Sequence, residues 1–120
     1  MSNTLALSLY FLTQQPSEKG WAAEVDVALA HAERWLRKDP AHSVDRTRQT
    51  LVRRAHQLGR KHENLLNQAA ALCRAVRCAE FDEGVLRERL EDFAAELQGL
   101  EEAEAGLVVE NVTTDIGVGD

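Results

Sequence analysis

A chain of 120 residues has room for one ordinary domain with a hydrophobic core, which excludes a pair of them. Apolar residues make up 44% of the chain, and only two prolines and seven glycines interrupt it, so the composition favours an all-α protein. The net charge of −6 gives no support to nucleic-acid binding, which depends on a basic surface.

Hydrophobic periodicity predicts a short helix followed by three longer ones, over residues 4–14, 17–38, 43–78 and 82–113. Pro16 and Pro40 end the first two, while Ser43 and Asp82 are the predicted N-caps of the last two. Short connections between such helices predict an up-down helical bundle. The bundle is expected to occupy residues 1–113. The remaining residues, 114–120, lose the helical rhythm and are predicted to form a loose tail.

The two shorter stripes of apolar residues predict which sides of the first and second helices are buried. In the first helix the predicted stripe is Leu5, Leu9 and Leu12, with Tyr10 and Phe11 beside it. In the second helix it is Trp21, Val25, Ala28, Ala32 and Leu36.

The third and fourth helices each carry one apolar stripe with alternating steps of three and four residues, as helices packed along a bundle axis do. The third-helix stripe is Leu51, Ala55, Leu58, His62, Leu65, Ala69, Leu72 and Val76. The fourth-helix stripe is Leu86, Leu90, Phe93, Leu97, Leu100, Glu104 and Leu107. One potential metal ligand therefore lies in each stripe, His62 in the third helix and Glu104 in the fourth.

A buried carboxylate costs several kcal/mol unless it is paired, hydrogen-bonded or bound to a cation, so Glu104 needs a partner. If the third and fourth helices are antiparallel about residue 80, His62 faces about residue 98, and Glu104 lies about 9 Å further along the axis. His62 and Glu104 could share a cation with help from further ligands. Alternatively, His62 is a core histidine whose ring nitrogens are satisfied by a neighbouring helix, with Glu104 as one possible partner.

Charge is distributed unevenly along the chain. Residues 79–120 hold 13 acids and two bases, whereas residues 1–78 hold 12 bases and seven acids. A basic third helix is thus followed by an acidic fourth helix, and we expect the two to pair along their edges. The competing interpretation, a nucleic-acid surface that includes Arg53 and Arg60, requires a basic face free of the acidic helix.

Cys73 and Cys78 are five residues apart, which matches neither a CxxC pair nor a metal knuckle, so they are expected to be reduced thiols of a cytoplasmic protein. The apolar run over residues 5–12 has no basic region before it and no cleavage site, and it is too short to span a membrane.

Residues 58–76, LGRKHENLLNQAAALCRAV, and residues 86–120 resemble the second half of a bacterial hemerythrin-like domain of the HHE cation-binding family. The histidine, acidic residue and paired leucines of that family's third helix match His62, Glu63, Leu65 and Leu66, and a carboxylate of its fourth helix matches Glu104. Family members are up-down four-helix bundles around a non-haem di-iron site. The resemblance therefore implies binding or sensing of oxygen, nitric oxide or iron.

Residues 8–25 are similar to the second family helix at Phe11 and at Gly20-Trp21, but they lack its ligands. Tyr10 stands where the family has histidine, and Gln14 stands where it has glutamate. The first family helix, which carries a histidine of its own, has no counterpart in this chain.

The fourth-helix histidine of the family is also missing, because Leu100 occupies its position. A di-iron centre takes roughly five or six protein ligands, of which this chain keeps two, so we expect no oxygen-bridged di-iron site. The sequence leaves open a single non-haem iron bound by His62 and Glu104 and completed by Tyr10, Gln14 or a second subunit.

The sequence thus favours a divergent hemerythrin-like bundle that is not an enzyme and whose metal site is largely lost. Any retained iron would bind a small diatomic ligand. The alternative is a metal-free helical interaction module, which would form a homodimer through the groove left by the missing helix. A small iron-dependent oxidoreductase is the least favoured, because no nucleophilic or acid–base set is recognisable. Neither nucleic acid nor a membrane is expected as a partner.

Overall fold

The computed structural model describes residues 4–16, 19–38, 48–78 and 82–118. This part of the chain forms four helices, which are α1 (Thr4–Thr13), α2 (Trp21–Leu36), α3 (Gln49–Arg77) and α4 (Glu83–Val118). The predicted all-α fold, with a short first helix and three longer ones, is confirmed. Within the described ranges, no helix combines the length and apolarity needed to cross a membrane.

The N-cap predicted for the last helix is confirmed, because the Asp82 carboxylate accepts a hydrogen bond from the Val85 backbone amide at 3.2 Å. The predicted cap Ser43 and the predicted stop Pro40 lie outside the described residues. Helix α4 runs on to Val118, so the secondary structure does not change at residue 114, where we expected a loose tail. The domain boundary at residue 113 stays a prediction.

The helices form a closed ring in which α2 contacts α1 and α3, and α4 contacts α3 and α1. Two hydrogen bonds show that α1 and α4 are antiparallel, from the Ala6 amide to Glu101 and from the Gln14 side chain to Glu91. Helix α1 thus occupies the position between α2 and α4. The homodimer expected through a groove left by a missing helix stays a prediction.

The core confirms the stripes predicted for the two long helices and corrects those of the short ones. Every apolar member of the α3 and α4 stripes is buried. In α2, Leu29 is fully buried, whereas Ala28 is only partly so. In α1 the buried apolar residues are Ala6 and Leu9, while Leu5 and Leu12 are half-buried at the edges of that side. The buried side of α1 is therefore centred one residue away from the prediction.

Helix α2 begins immediately after a turn that depends on glycine. Gly20 precedes Trp21 with a φ of +97°, a left-handed conformation that disfavours residues with a Cβ. The Trp21 indole N–H then donates to the Leu12 carbonyl at 2.9 Å, which ties the start of α2 to the end of α1.

Arg87 of α4 holds the same corner of the bundle from the other side. Its guanidinium lies 4.4 Å from the centre of the Trp21 ring and donates to the Thr13 carbonyl at 2.7 Å. Because Thr13 is the last residue of α1, its carbonyl has no partner within the helix. The positive charge of Arg87 also interacts favourably with the negative end of the α1 dipole. One side chain thus connects three helices.

The expected pairing between the basic α3 and the acidic α4 is wrong for most of the described bases. Arg53, Arg60, Lys61 and Arg74 are exposed and, among the residues that the structure describes, have no carboxylate within 4 Å. Arg77 pairs instead with Asp26 of α2 at 3.2 Å. The reason is geometric for Arg53, Arg60 and Arg74, which lie on the outer side of α3, away from the buried stripe. Lys61 lines the groove between α3 and α4 beside Glu96 without forming an ion pair with it.

Arg87→Ala is predicted to lower the free energy of unfolding by about 1–2 kcal/mol, because it removes the contact with the Trp21 ring and the charged partner of the α1 carboxyl end. The measurement is urea unfolding followed by far-UV circular dichroism. The control is Arg89→Ala, a substitution at an exposed residue two positions further along α4. It should change the free energy of unfolding by less than about 0.5 kcal/mol. Equal effects of the two substitutions would contradict this role for Arg87.

Candidate functional site

His62 and Glu104, the two predicted metal ligands, are in direct contact. The His62 Nε2 atom lies 2.9 Å from Glu104 Oε2, and the other ring nitrogen, Nδ1, lies 2.9 Å from the Leu36 carbonyl oxygen. Only 3% of His62 is exposed. The last residue of α2, the middle of α3 and the distal half of α4 therefore meet at one imidazole ring.

The partners of His62 determine where its protons are. A carbonyl oxygen can only accept, so Nδ1 carries a proton and donates it to Leu36. The Nε2 atom faces the Glu104 carboxyl group. A hydrogen bond between the two requires that either Nε2 or the carboxyl group carries a proton. Whichever group carries that proton, the Nε2 lone pair and one Glu104 oxygen are occupied by each other.

Trp35 adds a third contact to the His62 ring. Its indole stacks on the imidazole with the ring centres 4.9 Å apart and an angle of 26° between the planes. Trp35 precedes Leu36 at the end of α2, so α2 both covers the ring and accepts its Nδ1 proton. Stacking and two hydrogen bonds fix the orientation of the imidazole in the core.

His62 and Glu104 are in contact although their backbone positions were predicted to be offset by about 9 Å along the bundle axis. Side chains of an α-helix lean towards the N-terminus of their own helix. In an antiparallel pair with the connection at one end, His62 leans away from the connection and Glu104 leans towards it. The two long side chains close the offset, which an estimate from backbone positions alone had left open.

Glu101 is a buried carboxylate that the sequence analysis did not identify, whereas Glu104 is only partly buried, with 19% of its side chain exposed. Glu101 is 3% exposed and accepts a hydrogen bond from the Ala6 amide at 3.2 Å. Ala6 lies in the first turn of α1, where amides lack partners within the helix. Burial raises the pKa of the Glu101 carboxyl, the Ala6 hydrogen bond opposes this, and the nearby acids Glu102 and Glu104 add to it.

A signal for Glu101 was present in the sequence. Helix α4 contacts two neighbours, so it needs a second buried row beside the one that faces α3. Ala94 and Glu101 are seven residues apart and form that row towards α1, where both are buried. A search for one stripe per helix could not find it.

The buried cysteine of α3 is not a reactive nucleophile. Cys73 Sγ donates a hydrogen bond to Glu33 Oε1 at 3.1 Å. Burial, followed by the hydrogen bond and the negative charge of Glu33, raises the pKa of the Cys73 thiol to about 12. Because the thiolate is the nucleophile and the metal ligand, Cys73 is inert at neutral pH. Cys78 at the end of α3 is exposed and is also a free thiol.

Gln14 and Tyr10, which the sequence left open as further metal ligands, have other neighbours in the structure. Gln14 is level with Glu91, to which it is hydrogen-bonded, and 13 residues of helix separate Glu91 from Glu104, about 20 Å at the α-helical rise. Tyr10 is 52% exposed and lies beside Gln98.

The donor set in the described part of the chain does not fit a di-iron centre. No group of three or more His, Cys, Asp or Glu side chains converges there to hold a metal ion. Leu100, at the position of the missing histidine, is buried in the apolar core. A metal at His62 and Glu104 would first have to break their mutual hydrogen bond, and the described residues bring no third His, Cys, Asp or Glu side chain to it.

The fold and this pair define an all-α four-helix bundle with a polar contact inside its core. Searches of protein-family models, curated proteins and solved structures found no match to the chain. The resemblance to hemerythrin-like domains consequently rests on the residues quoted above.

The His62–Glu104 contact is predicted to contribute about 1–3 kcal/mol of coupling energy, because removing Glu104 leaves the buried Nε2 atom of His62 without its hydrogen bond and removing His62 leaves a partly buried carboxylate without its own. Urea unfolding of His62→Ala, Glu104→Ala and the double variant measures this term. A second, control cycle combines His62→Ala with Glu88→Ala, a change at an exposed carboxylate of α4. There the effects of the two substitutions on the free energy of unfolding should add within about 0.5 kcal/mol. Additivity in the first cycle would refute the coupling.

Glu101→Gln is predicted to raise the free energy of unfolding at about pH 7 and to have little effect near pH 4. The folded-state pKa of Glu101 is raised, so the folded protein holds that proton more tightly. Stability is therefore lost as pH rises from the usual carboxyl range through the raised pKa. Glutamine keeps an oxygen for the Ala6 amide without ionising.

The measurement is urea unfolding of the wild type and Glu101→Gln at several pH values, with Glu88→Gln, a change at an exposed α4 carboxylate that is not among the acids acting on Glu101, as the control. The prediction fails if the difference between wild type and Glu101→Gln does not depend on pH.

Proposed function

We propose that this protein is a metal-free helical interaction module, built on a divergent hemerythrin-like bundle, that docks a partner through the outer face of α1. This outer face comprises Leu7, Tyr10 and Phe11. The family assignment is part of the proposal and comes from the sequence resemblance. We propose a cytoplasmic location for the same protein, since unpaired cysteines suit a reducing compartment.

The observation that carries the proposal is the composition of α1. Its ten residues, TLALSLYFLT, include no charged side chain. Ala6 and Leu9 are buried against the bundle, yet Leu7, Tyr10 and Phe11 on the other side are 55%, 52% and 65% exposed. A helix that is apolar on all sides is normally enclosed by protein, and three large exposed side chains within two turns are typical of a docking surface.

An apolar groove lies beside this outer face and extends it. The groove runs between α1 and α2, has a volume of about 370 Å³ and is lined largely by Leu5, Ala23, Val27 and Ala28. Val27 on its outer edge is 57% exposed. A ridge flanked by a groove is a surface into which a partner helix can pack.

Iron-dependent binding or sensing of oxygen or nitric oxide, which the family resemblance implies, has weaker support. Only two of the family's ligand positions carry ligands here, and their side chains bond to each other. Oxidoreductase activity would need the same missing ligands, and Cys73 is held as an inert thiol. We therefore propose no catalytic role.

The test is photo-crosslinking in the cells that make the protein, with p-benzoylphenylalanine incorporated at position 11. Position 109 is the control, because Val109 is 64% exposed and lies eight residues, about 12 Å of helix, beyond Glu101, which is level with the first turn of α1. A specific adduct at position 11 that is absent at position 109, identified by mass spectrometry, is the expected result. If position 11 gives no adduct, or only those that position 109 gives, α1 is not a docking surface.

A further inference from the structure

Resting on the proposed docking role of α1, we propose that the partner is a second copy of this chain, packed α1 against α1 in antiparallel orientation about a two-fold axis. The proposal commits to a weak homodimer whose centre is the outer face of α1. Its support comes from the spacing, the charge and the area of that face.

The spacing makes the face complementary to itself. Leu7 and Phe11 are four residues apart and lie one above the other, with the small side chain of Ser8 exposed beside them. A two-fold axis midway between them sets Leu7 against Phe11 of the partner subunit and Phe11 against Leu7 of the partner subunit. Such a contact closes on itself and does not propagate into fibres.

Charge favours a second copy over a partner with a charged helix. Because α1 has no charged side chain, two copies meet there without repulsion and without stripping water from an ionic group. A charged partner helix would find no opposite charge on the outer face of α1. Apolar contact between like surfaces is what the centre of this face can provide.

The exposed area sets the strength of the dimer. The exposed fractions of Leu7, Tyr10 and Phe11, 55%, 52% and 65%, amount to on the order of 400 Å² of apolar surface per copy. Two copies would bury on the order of 800 Å², which is below the standard size of stable interfaces and in the range of weak, transient ones. The dimer should therefore form only at high protein concentration.

The experiment is sedimentation equilibrium of the full chain from about 10 μM to about 1 mM, with and without a chelator. The wild-type mass is expected to rise towards twice the chain mass, and the chelator should make no difference. Leu7→Glu with Phe11→Glu, and separately Leu7→Lys with Phe11→Lys, should weaken association by roughly tenfold or more. Val109→Glu should leave it unchanged, and circular dichroism checks that every variant stays helical.

Mixing the two double variants provides the most specific outcome. If α1 packs on α1 in antiparallel orientation, the glutamate variant and the lysine variant face each other with opposite charges, and the mixture should associate where neither variant does alone. A mixture that stays monomeric overturns this arrangement, as does a wild type that is monomeric throughout. In the latter case, a position-11 crosslink to a different protein would still support the docking role, whereas no crosslink would remove both.

Discussion

The interior of this bundle depends on one imidazole ring that three helices hold. His62 donates to the carbonyl that ends α2, shares a proton with Glu104 of α4 and stacks against Trp35. His62 is buried and Glu104 is partly buried, and a polar group in such a place is costly unless it is hydrogen-bonded, as each of these two is by the other. Their contact also fixes the register of α3 against α4, because a shift of one residue would separate the two side chains. In this position the pair contributes to folding, and its mutual hydrogen bond uses the His62 Nε2 atom and one of the two Glu104 oxygens.

Much of the fold was predictable because its signal is periodic. The α3 and α4 stripes, such as the run from Leu86 to Leu97, predicted both helices and the sides that they bury. The sequence offered the contact between His62 and Glu104 only as one of two alternatives, because the contact depends on how side chains lean along two antiparallel helices. Glu101 was missed for another reason, namely that α4 packs against two neighbours and a single stripe describes only one.

Helix α1 shows where periodicity fails. Apolar residues surround it, so no pattern tells which side faces the bundle, and the structure had to show that Tyr10 and Phe11 point outward. The same property makes α1 the most informative part of the surface. A core requires only one apolar side from a helix at the edge of a bundle. We therefore propose that the second apolar side of α1 serves to bind a partner and not to stabilise the fold.

We propose that the His62–Glu104 contact stabilises the bundle and that the two side chains do not bind a metal. The most direct test of this claim is elemental analysis of iron in the purified chain after anaerobic loading with Fe(II) and desalting, with His62→Ala in parallel. We predict that neither protein retains iron near a stoichiometric amount. Near-stoichiometric iron in the wild type that is lost in His62→Ala would contradict the claim and show that the pair opens to bind metal.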